Sequence, residues 1–237
     1  MKIALVGYGK MGKAIEKIAL ERGHEISLKI TSQNREKITA AELAATDVAI
    51  EFTSPETAFE NIQKLLSLKI PVVCGSTGWI NKLREAEKIS QQNGTPFLYA
   101  SNFSPGVNIF FELNKKLASL MNGQHYKTSI KEIHHTAKKD APSGTAITLA
   151  EQIISNIPSL NGWKKTKEFH EDYIAVESIR QDPAPGTHTI TYSSAIDDIS
   201  ITHEAHSREG FAYGAVLAAE FIVGKTGVFS MKDVLDL

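Results

Sequence analysis

Lys2 to Gly12 reads K-I-A-L-V-G-Y-G-K-M-G, and this stretch decides the fold. Its first five residues form a short, nearly continuous apolar run, the pattern of a parallel strand covered on both faces. Gly7, Gly9 and Gly12 then make a G-x-G-x-x-G, followed by an amphipathic helical pattern through Ile15, Ile18, Ala19 and Leu20. Strand, glycine turn and helix in that order are the setting a dinucleotide fingerprint needs. The glycines allow a tight turn and close backbone approach, and the helix start faces a pyrophosphate. The sequence therefore predicts a Rossmann-like, doubly wound parallel sheet at the N-terminal end, with Gly7, Tyr8, Gly9, Lys10, Met11 and Gly12 as cofactor-binding candidates.

The following segments repeat the pattern. E-I-S-L-K-I-T (25–31), T-D-V-A-I-E-F-T (46–53), I-P-V-V-C-G-S-T-G (70–78) and T-P-F-L-Y-A-S-N-F (95–103) read as strands. They alternate with helical patterns over 61–68 and 81–92, and Ser54 and Pro55 mark a helix start. After the second strand, where an NAD-specific protein often carries an acidic residue for the ribose 2'-hydroxyl, stand Thr31 and Ser32. With Arg35 and Lys37 nearby, that end tolerates a 2'-phosphate, so the expected cofactor is NADPH or NADH. Ligands of open sheets sit at the carboxyl ends of the strands. This adds Gly75, Ser76, Thr77, Ala100, Ser101, Asn102 and Phe103 as cofactor candidates. Cys74 closes an apolar run, where a thiol is inert.

S-P-G at 104–106 punctuates the chain, and the composition changes after it. A helix through Ile109, Phe110, Leu113, Leu117 and Leu120 precedes long alternating strands at 127–135, 173–181, 187–194 and 199–203. The short connections D-P-A-P-G and D-D imply a mixed or antiparallel sheet, hence a second domain of α+β build. Residues 156–171 read as a long loop, with Trp163 a packing residue. Helices over 107–121 and 144–155 can cover one face of the second sheet. Ile190 and Tyr192, or their alternates Thr189 and Thr191, line the other.

Glu132 to Ala146, E-I-H-H-T-A-K-K-D-A-P-S-G-T-A, concentrates proton donors and anion binders on a strand-to-helix loop. Ser143 is a good N-cap, which leaves the Gly144 and Thr145 amides in the first helical turn facing an anion. Lys138 and Lys139 favour a carboxylate or phosphate there. His134 and His135 can serve one pocket only if the strand ends at about His134, because successive strand residues face opposite sides. Neither this pair nor His203 with His206 has metal-ligand spacing, so no metal is expected.

The pattern H-H-x-x-K-x-D-A-P-S-G-T-A resembles the signature of the dihydrodipicolinate reductase family. G-S-T at 75–77, A-S-N-F at 100–103 and S-R-E-G-F-A-Y-G-A at 207–215 resemble further segments of it, so the likeness spans almost the whole chain. It implies reduction of 4-hydroxy-tetrahydrodipicolinate to tetrahydrodipicolinate by hydride from NADPH or NADH, in the diaminopimelate route to lysine. By the same resemblance His134 is the proton donor, and Lys138 the second acid and carboxylate partner. His135, Gly144 and Thr145 contact a small dicarboxylate substrate. Also implied are a homotetramer built sheet against sheet and a chain that crosses back to the nucleotide domain. Residues 1–103 with 208–237 would then bind the dinucleotide, and 104–207 would bind substrate and oligomerise. Hinges are expected at 101–106 and 207–210.

Composition narrows the alternatives. With 237 residues and a net charge of -1, there is no basic excess to recruit nucleic acid or an acidic membrane. A single cysteine excludes an intramolecular disulfide. The chain enters a strand without a signal-peptide pattern, and no apolar run approaches the roughly 20 residues that span a bilayer, so the expected location is the cytoplasm. A semialdehyde dehydrogenase would need a thiol nucleophile, for which Cys74 is poorly placed. A binding module that had lost catalysis would not need both His134 and Lys138.

Overall fold

The computed structural model describes residues 1–207 and 209–237. Arg208, part of the second expected crossing and of the 207–215 motif, lies outside the described residues. The chain divides into two compact units, Met1–Pro105 with Glu209–Leu237, and Gly106–Arg208.

In chain order the first segment builds β1 (Lys2–Val6), α1 (Lys10–Glu21), β2 (Glu25–Ile30), β3 (Val48–Glu51), α2 (Pro55–Ser67), β4 (Val72–Cys74), α3 (Leu83–Asn93) and β5 (Phe97–Tyr99). Then come α4 (Pro105–Met121), β6 (Lys127–His134), α5 (Gly144–Asn156), β7 (Gly162–Lys164), β8 (Tyr173–Arg180), β9 (Gly186–Ser193) and β10 (Asp198–Ala205). The last segment adds α6 (Glu209–Ile222), β11 (Val228–Phe229) and α7 (Met231–Leu235).

The first unit is a parallel sheet in the order β11-β5-β4-β3-β1-β2. Alternation along β1 explains why its whole run is apolar. Ile3 and Leu5 pack on one side with α1 and α6, whereas Ala4 and Val6 pack on the other with α2 and α3. A small residue in α6 sets the closest approach: a Cβ on Gly214 would stand 1.7 Å from the Phe103 carbonyl oxygen, so only glycine lets the helix lie there. Strand order reverses between β1 and β3, which puts the crevice for a ligand above their carboxyl ends.

The second unit is a mixed sheet, β10-β9-β6-β8-β7, with β6 parallel to β8 and antiparallel to β9. Its inner face carries Ile130, Ile174, Val176, Ile190 and Tyr192 against α4 and α5. Thr189 and Thr191 therefore take the opposite face, where their hydroxyls meet Thr202 at 3.0 Å and Ser200 at 2.9 Å on β10. Of the two expected pairs, Thr189 and Thr191 line the uncovered side.

Two short strands depart from the sequence reading. Residues 156–171 are not all loop, because Gly162–Lys164 pairs in parallel with Tyr173–Ala175. Trp163 packs at the edge of the second core. β11 pairs with β5 through Val228 and Phe229 alone. Strands of two or three residues carry no alternation to read, and their pairing is set by the neighbour.

Candidate active site

The loop after β1 is shaped for close approach. Gly7 has φ +98, and a Cβ there would lie 1.9 Å from the Phe52 carbonyl oxygen at the end of β3. On Gly12 a Cβ would meet the Gly7 carbonyl oxygen at 2.3 Å, whereas nothing lies within 4 Å of one on Gly9. Gly7 and Gly12 are thus needed by the turn itself, and Gly9 leaves open space above it. Beside the turn is a cavity of about 410 Å³ lined by Gly7, Tyr8, Gly9, Thr31, Ser32 and Arg35, with Phe52 to Ser54 opposite. Volume and lining suit part of a dinucleotide.

Thr31 is tied into the turn after β2, its amide donating to Asn34 Oδ1 at 2.6 Å. Arg35 reaches the cavity but is held by Glu60 at 2.8 Å and Asn61 at 3.2 Å, so a 2'-phosphate must compete with Glu60 for it. Tyr8 donates to Glu16, which also binds Lys29 at 2.6 Å. Lys10 is exposed and Met11 half-buried at the start of α1.

At the ends of β4 and β5 the candidates split. Thr77 and Ser101 are exposed. Ser76 is buried; its hydroxyl accepts the Thr53 amide at 2.7 Å and its carbonyl accepts the Trp79 indole N–H at 2.7 Å. Phe103 is also buried, its ring centroid 5.6 Å from that of Phe52. Asn102 accepts the Ser104 amide at 2.9 Å, and the Ala100 amide donates to the Cys74 carbonyl at 3.2 Å. Gly75 makes room for the Phe52 ring, which a Cβ would meet at 2.1 Å. The side chains of Ser76 and Phe103 thus hold the loops in place, while Thr77 and Ser101 remain open to a ligand.

Below Ser76 lies the fully buried Glu51, which accepts from Thr53 and Cys74. Burial raises its pKa, and the same burial pushes the Cys74 thiol well above its ordinary range. Cys74 is therefore no nucleophile.

The second unit carries the acid–base cluster. β6 ends at His134, the condition under which both histidines can serve one site; His135 lies beyond the strand, half-buried. His134 is 7% exposed and its ring centroid is 5.0 Å from that of His188 on β9. Two residues earlier on the same face, Glu132 is 0% exposed. Both its oxygens accept the Ser143 amide at 3.1 Å, Arg180 Nη2 lies 3.3 Å from Oε1, and His188 Nε2 lies 3.7 Å from Oε2. Burial alone would raise the Glu132 pKa, but the partners His188 and Ser143 outweigh it and hold the carboxyl well below the usual range.

The His134 imidazole is pushed down to about 4, first by burial and then by charge interactions with His188, Lys138 and Arg180, with Glu132 opposing them. With no anion bound, it is neutral at pH 7. Ser143 caps α5 as expected, its hydroxyl accepting the Ala146 amide at 3.2 Å and lying 3.1 Å from His188 Nε2. The amides of Gly144 and Thr145 precede this cap bond at the open end of the helix, and the space over Gly144 is clear to 4 Å. Lys138 Nζ donates to both oxygens of Asp140 at 2.8 Å, so an incoming carboxylate must take it from Asp140.

Three members of this cluster have no role in the sequence reading. Arg180 stands opposite His134 in the β6–β8 register, and its guanidinium ties down the loop through the carbonyls of Lys138 at 3.2 Å and Asp140 at 2.5 Å. His188 stands opposite Glu132 in the β6–β9 register. The one local signal is the spacing of Glu132 and His134, two apart on a strand and hence on one face. Ligand atoms of Glu132, His134 and His188 lie within 4.8 Å of one another. A divalent ion among them would lie beside the Arg180 guanidinium and feel the Lys138 ammonium, and both charges oppose it.

Comparison with known proteins agrees with this geometry. The family descriptions "Dihydrodipicolinate reductase, N-terminus" and "Dihydrodipicolinate reductase, C-terminus" match residues 1–103 and 106–235. A 4-hydroxy-tetrahydrodipicolinate reductase of Christiangramia forsetii is 50% identical over 237 residues, covering 99% of this chain and 98% of its own length. The chain belongs to the dihydrodipicolinate reductase family. Another relative of that name, from Neisseria gonorrhoeae, is 33% identical over 94% of this chain and 84% of its own. Among solved structures, a dipicolinate-bound dihydrodipicolinate reductase from Paenisporosarcina sp. TG-14 shares the fold, with a TM-score of 0.77, 22% identity and 98% of each chain covered. A probable dehydrogenase from Thermotoga maritima shares it more distantly, at TM-score 0.60 and 10% identity over 100% of this chain and 93% of its own. Among the described residues, no helix is long and apolar enough to cross a membrane.

Proposed function

We propose that this chain reduces 4-hydroxy-tetrahydrodipicolinate to tetrahydrodipicolinate with hydride from NADH or NADPH, in the diaminopimelate route to lysine. The observation that carries this is the loop after β6: a buried neutral imidazole, a lysine and the open end of a capped helix stand together, in a chain 50% identical to a reductase of that name. The nicotinamide supplies the hydride when bound. Hydride and proton are gained by the substrate and water is lost, which balances the reaction.

Each residue has a task in this reading. Gly7, Gly9 and Gly12 admit the pyrophosphate to the start of α1, while Thr31, Ser32 and Arg35 receive the ribose. The loops at 75–77 and 100–103 contribute backbone and the open side chains of Thr77 and Ser101. His134 donates the proton. Lys138 leaves Asp140 to bind one carboxylate, and the Gly144 and Thr145 amides with His135 bind the other. A dianion beside His134 reverses the balance that keeps it neutral, so the substrate charges its own acid. The dipicolinate of the Paenisporosarcina structure is a ligand of this dicarboxylate class.

The uncovered Thr189 and Thr191 face of the second sheet favours a homotetramer joined there, and a biosynthetic enzyme of this kind belongs in the cytoplasm. The test is direct: the purified protein with NADPH and 4-hydroxy-tetrahydrodipicolinate, against His134→Gln. Turnover by the wild type and its loss in the variant support the reading. No turnover with either cofactor, or a variant retaining a tenth or more of the activity, defeats it, because general acid catalysis contributes roughly 10²–10⁴-fold.

A further inference from the structure

Nδ1 of His134 is buried with no hydrogen-bond partner among the described residues, and Glu132 Oε2 stands 3.5 Å from it. A buried donor left unmade in this way costs free energy, so a group in this position calls for a reason. The opposite side of the ring supplies one. A Cβ on Gly186 would stand 3.1 Å from Nε2, so the absence of a side chain there keeps that nitrogen uncovered. One nitrogen thus faces a fixed anion, and beside the other stands a glycine with no side chain to cover it.

The anion is fixed from every other direction. Ser143 donates its amide to both oxygens, Arg180 holds Oε1, and His188 lies against Oε2. The charged and titratable groups around His134 are Glu132 on its own strand, Lys138 with Asp140 on the loop, Arg180 on β8 and His188 on β9. His188 is itself opposite His203 of β10, and α5 brings the Ser143 cap. Of the two carboxylates, Glu132 is the one beside Nδ1, whereas Asp140 is paired with Lys138.

We propose that Glu132 is a positioning residue for His134: it takes the Nδ1–H, making Nε2 the atom that delivers the proton, and its charge favours the imidazolium once substrate is bound. This rests on His134 being the proton donor. In the step itself the Nε2–H bond of the imidazolium breaks and its proton passes to the substrate. The ring is left neutral with its remaining proton on Nδ1 against Glu132, and Nε2 is recharged by solvent. A shift of a few tenths of an ångström brings Nδ1 from 3.5 Å into hydrogen-bond range. Arg180 keeps its own backbone partners meanwhile and does not depend on this bond.

The experiment pairs a pH profile of kcat with ¹⁵N NMR of the histidine rings, in wild type, Glu132→Gln and His134→Gln. Glu132→Gln is expected to lower kcat by about tenfold or more with a smaller change in KM, and to move the limb on which rate falls with rising pH at least one unit lower. In the wild type at pH 7.5 the His134 signals are expected to report a proton on Nδ1. A profile that keeps its pH limb in Glu132→Gln while the melting temperature drops would make Glu132 a support only and overturn the proposal. So would a proton on Nε2 in the resting wild type, or stoichiometric zinc in the purified protein. Should Glu132→Gln not fold, the wild-type tautomer decides alone. If His134→Gln itself stays active, it is the assignment of the proton donor that has failed.

Discussion

Taking the protein from pH 7 to pH 4.5 should cost it stability through His134, and the cost can be worked from its surroundings. Its folded pKa is about 4 against an ordinary 6.5, because burial and the neighbouring cations disfavour the charged ring. A folded pKa below the unfolded one means the unfolded chain takes up the proton first. The contribution is therefore fully present above pH 6.5 and is lost as the pH falls toward 4. The side chain is only 9% exposed, so solvent screening removes little of it. At about 1.36 kcal/mol per pH unit the limit is ~3 kcal/mol, of which about 2.5 kcal/mol is spent by pH 4.5. Depressed carboxyls such as Glu132 begin to lose their contribution near pH 4.5, so stopping there keeps that loss small. His203, also depressed by burial, shifts both proteins alike, so the informative quantity is wild type minus His134→Gln. Urea denaturation at half-unit pH steps should show the wild type losing about 2.5 kcal/mol more than the variant. Parallel losses in the two would refute the claim that the imidazole is held neutral.

Other outcomes follow from the same geometry. On the proposed reading His134 charges when a dianion arrives, so dipicolinate binding at pH 7.5 should take up close to one proton, seen by calorimetry in buffers of different ionisation enthalpy; no uptake would count against the assignment. Lys138→Ala should lower kcat and raise KM together, unlike His134→Gln, which should lower kcat by about 10² or more with little change in KM. NADPH should serve at least as well as NADH, and Thr31→Glu should turn preference toward NADH; a wild type that strongly prefers NADH would contradict this. Gly7→Ala forces both a positive φ and a clash, and should cost about 1–3 kcal/mol in denaturant unfolding with a marked loss of cofactor affinity. Sedimentation should report a tetramer, and a monomer would remove the role given to Thr189 and Thr191.

Much of this was legible because it is written locally. The apolar run of β1 and its glycines, the alternation of β6 and β9, and the Ser143 cap each declare themselves within a few residues. His134 and Lys138 stand on one short loop, and family resemblance gave them roles. What was not legible depends on register. Glu132 meets His188 and His134 meets Arg180 only because β6 pairs with β9 and β8 as it does, across 56 and 46 positions of chain respectively. Strands β7 and β11 are too short for a period. Ser76 and Phe103 sit at the right strand ends, yet whether such a side chain turns to a ligand or to the core depends on what packs beneath it.

The return of Glu209–Leu237 to the first unit bears on how the protein is made. Synthesis runs from the N-terminal end, so the first unit waits, unfinished, while the contiguous second unit emerges and can fold. Until α6 arrives, Ile3, Leu5, Val48 and Ile50 have only α1 to cover that side of the sheet, and until β11 arrives the β5 edge is bare. A bare parallel edge beside an open apolar face invites association with other chains. Elements made after the second unit thus act as the latch on those made before it, and nascent chains stalled before residue 209 should be clients of chaperones while chains carried past β11 are not.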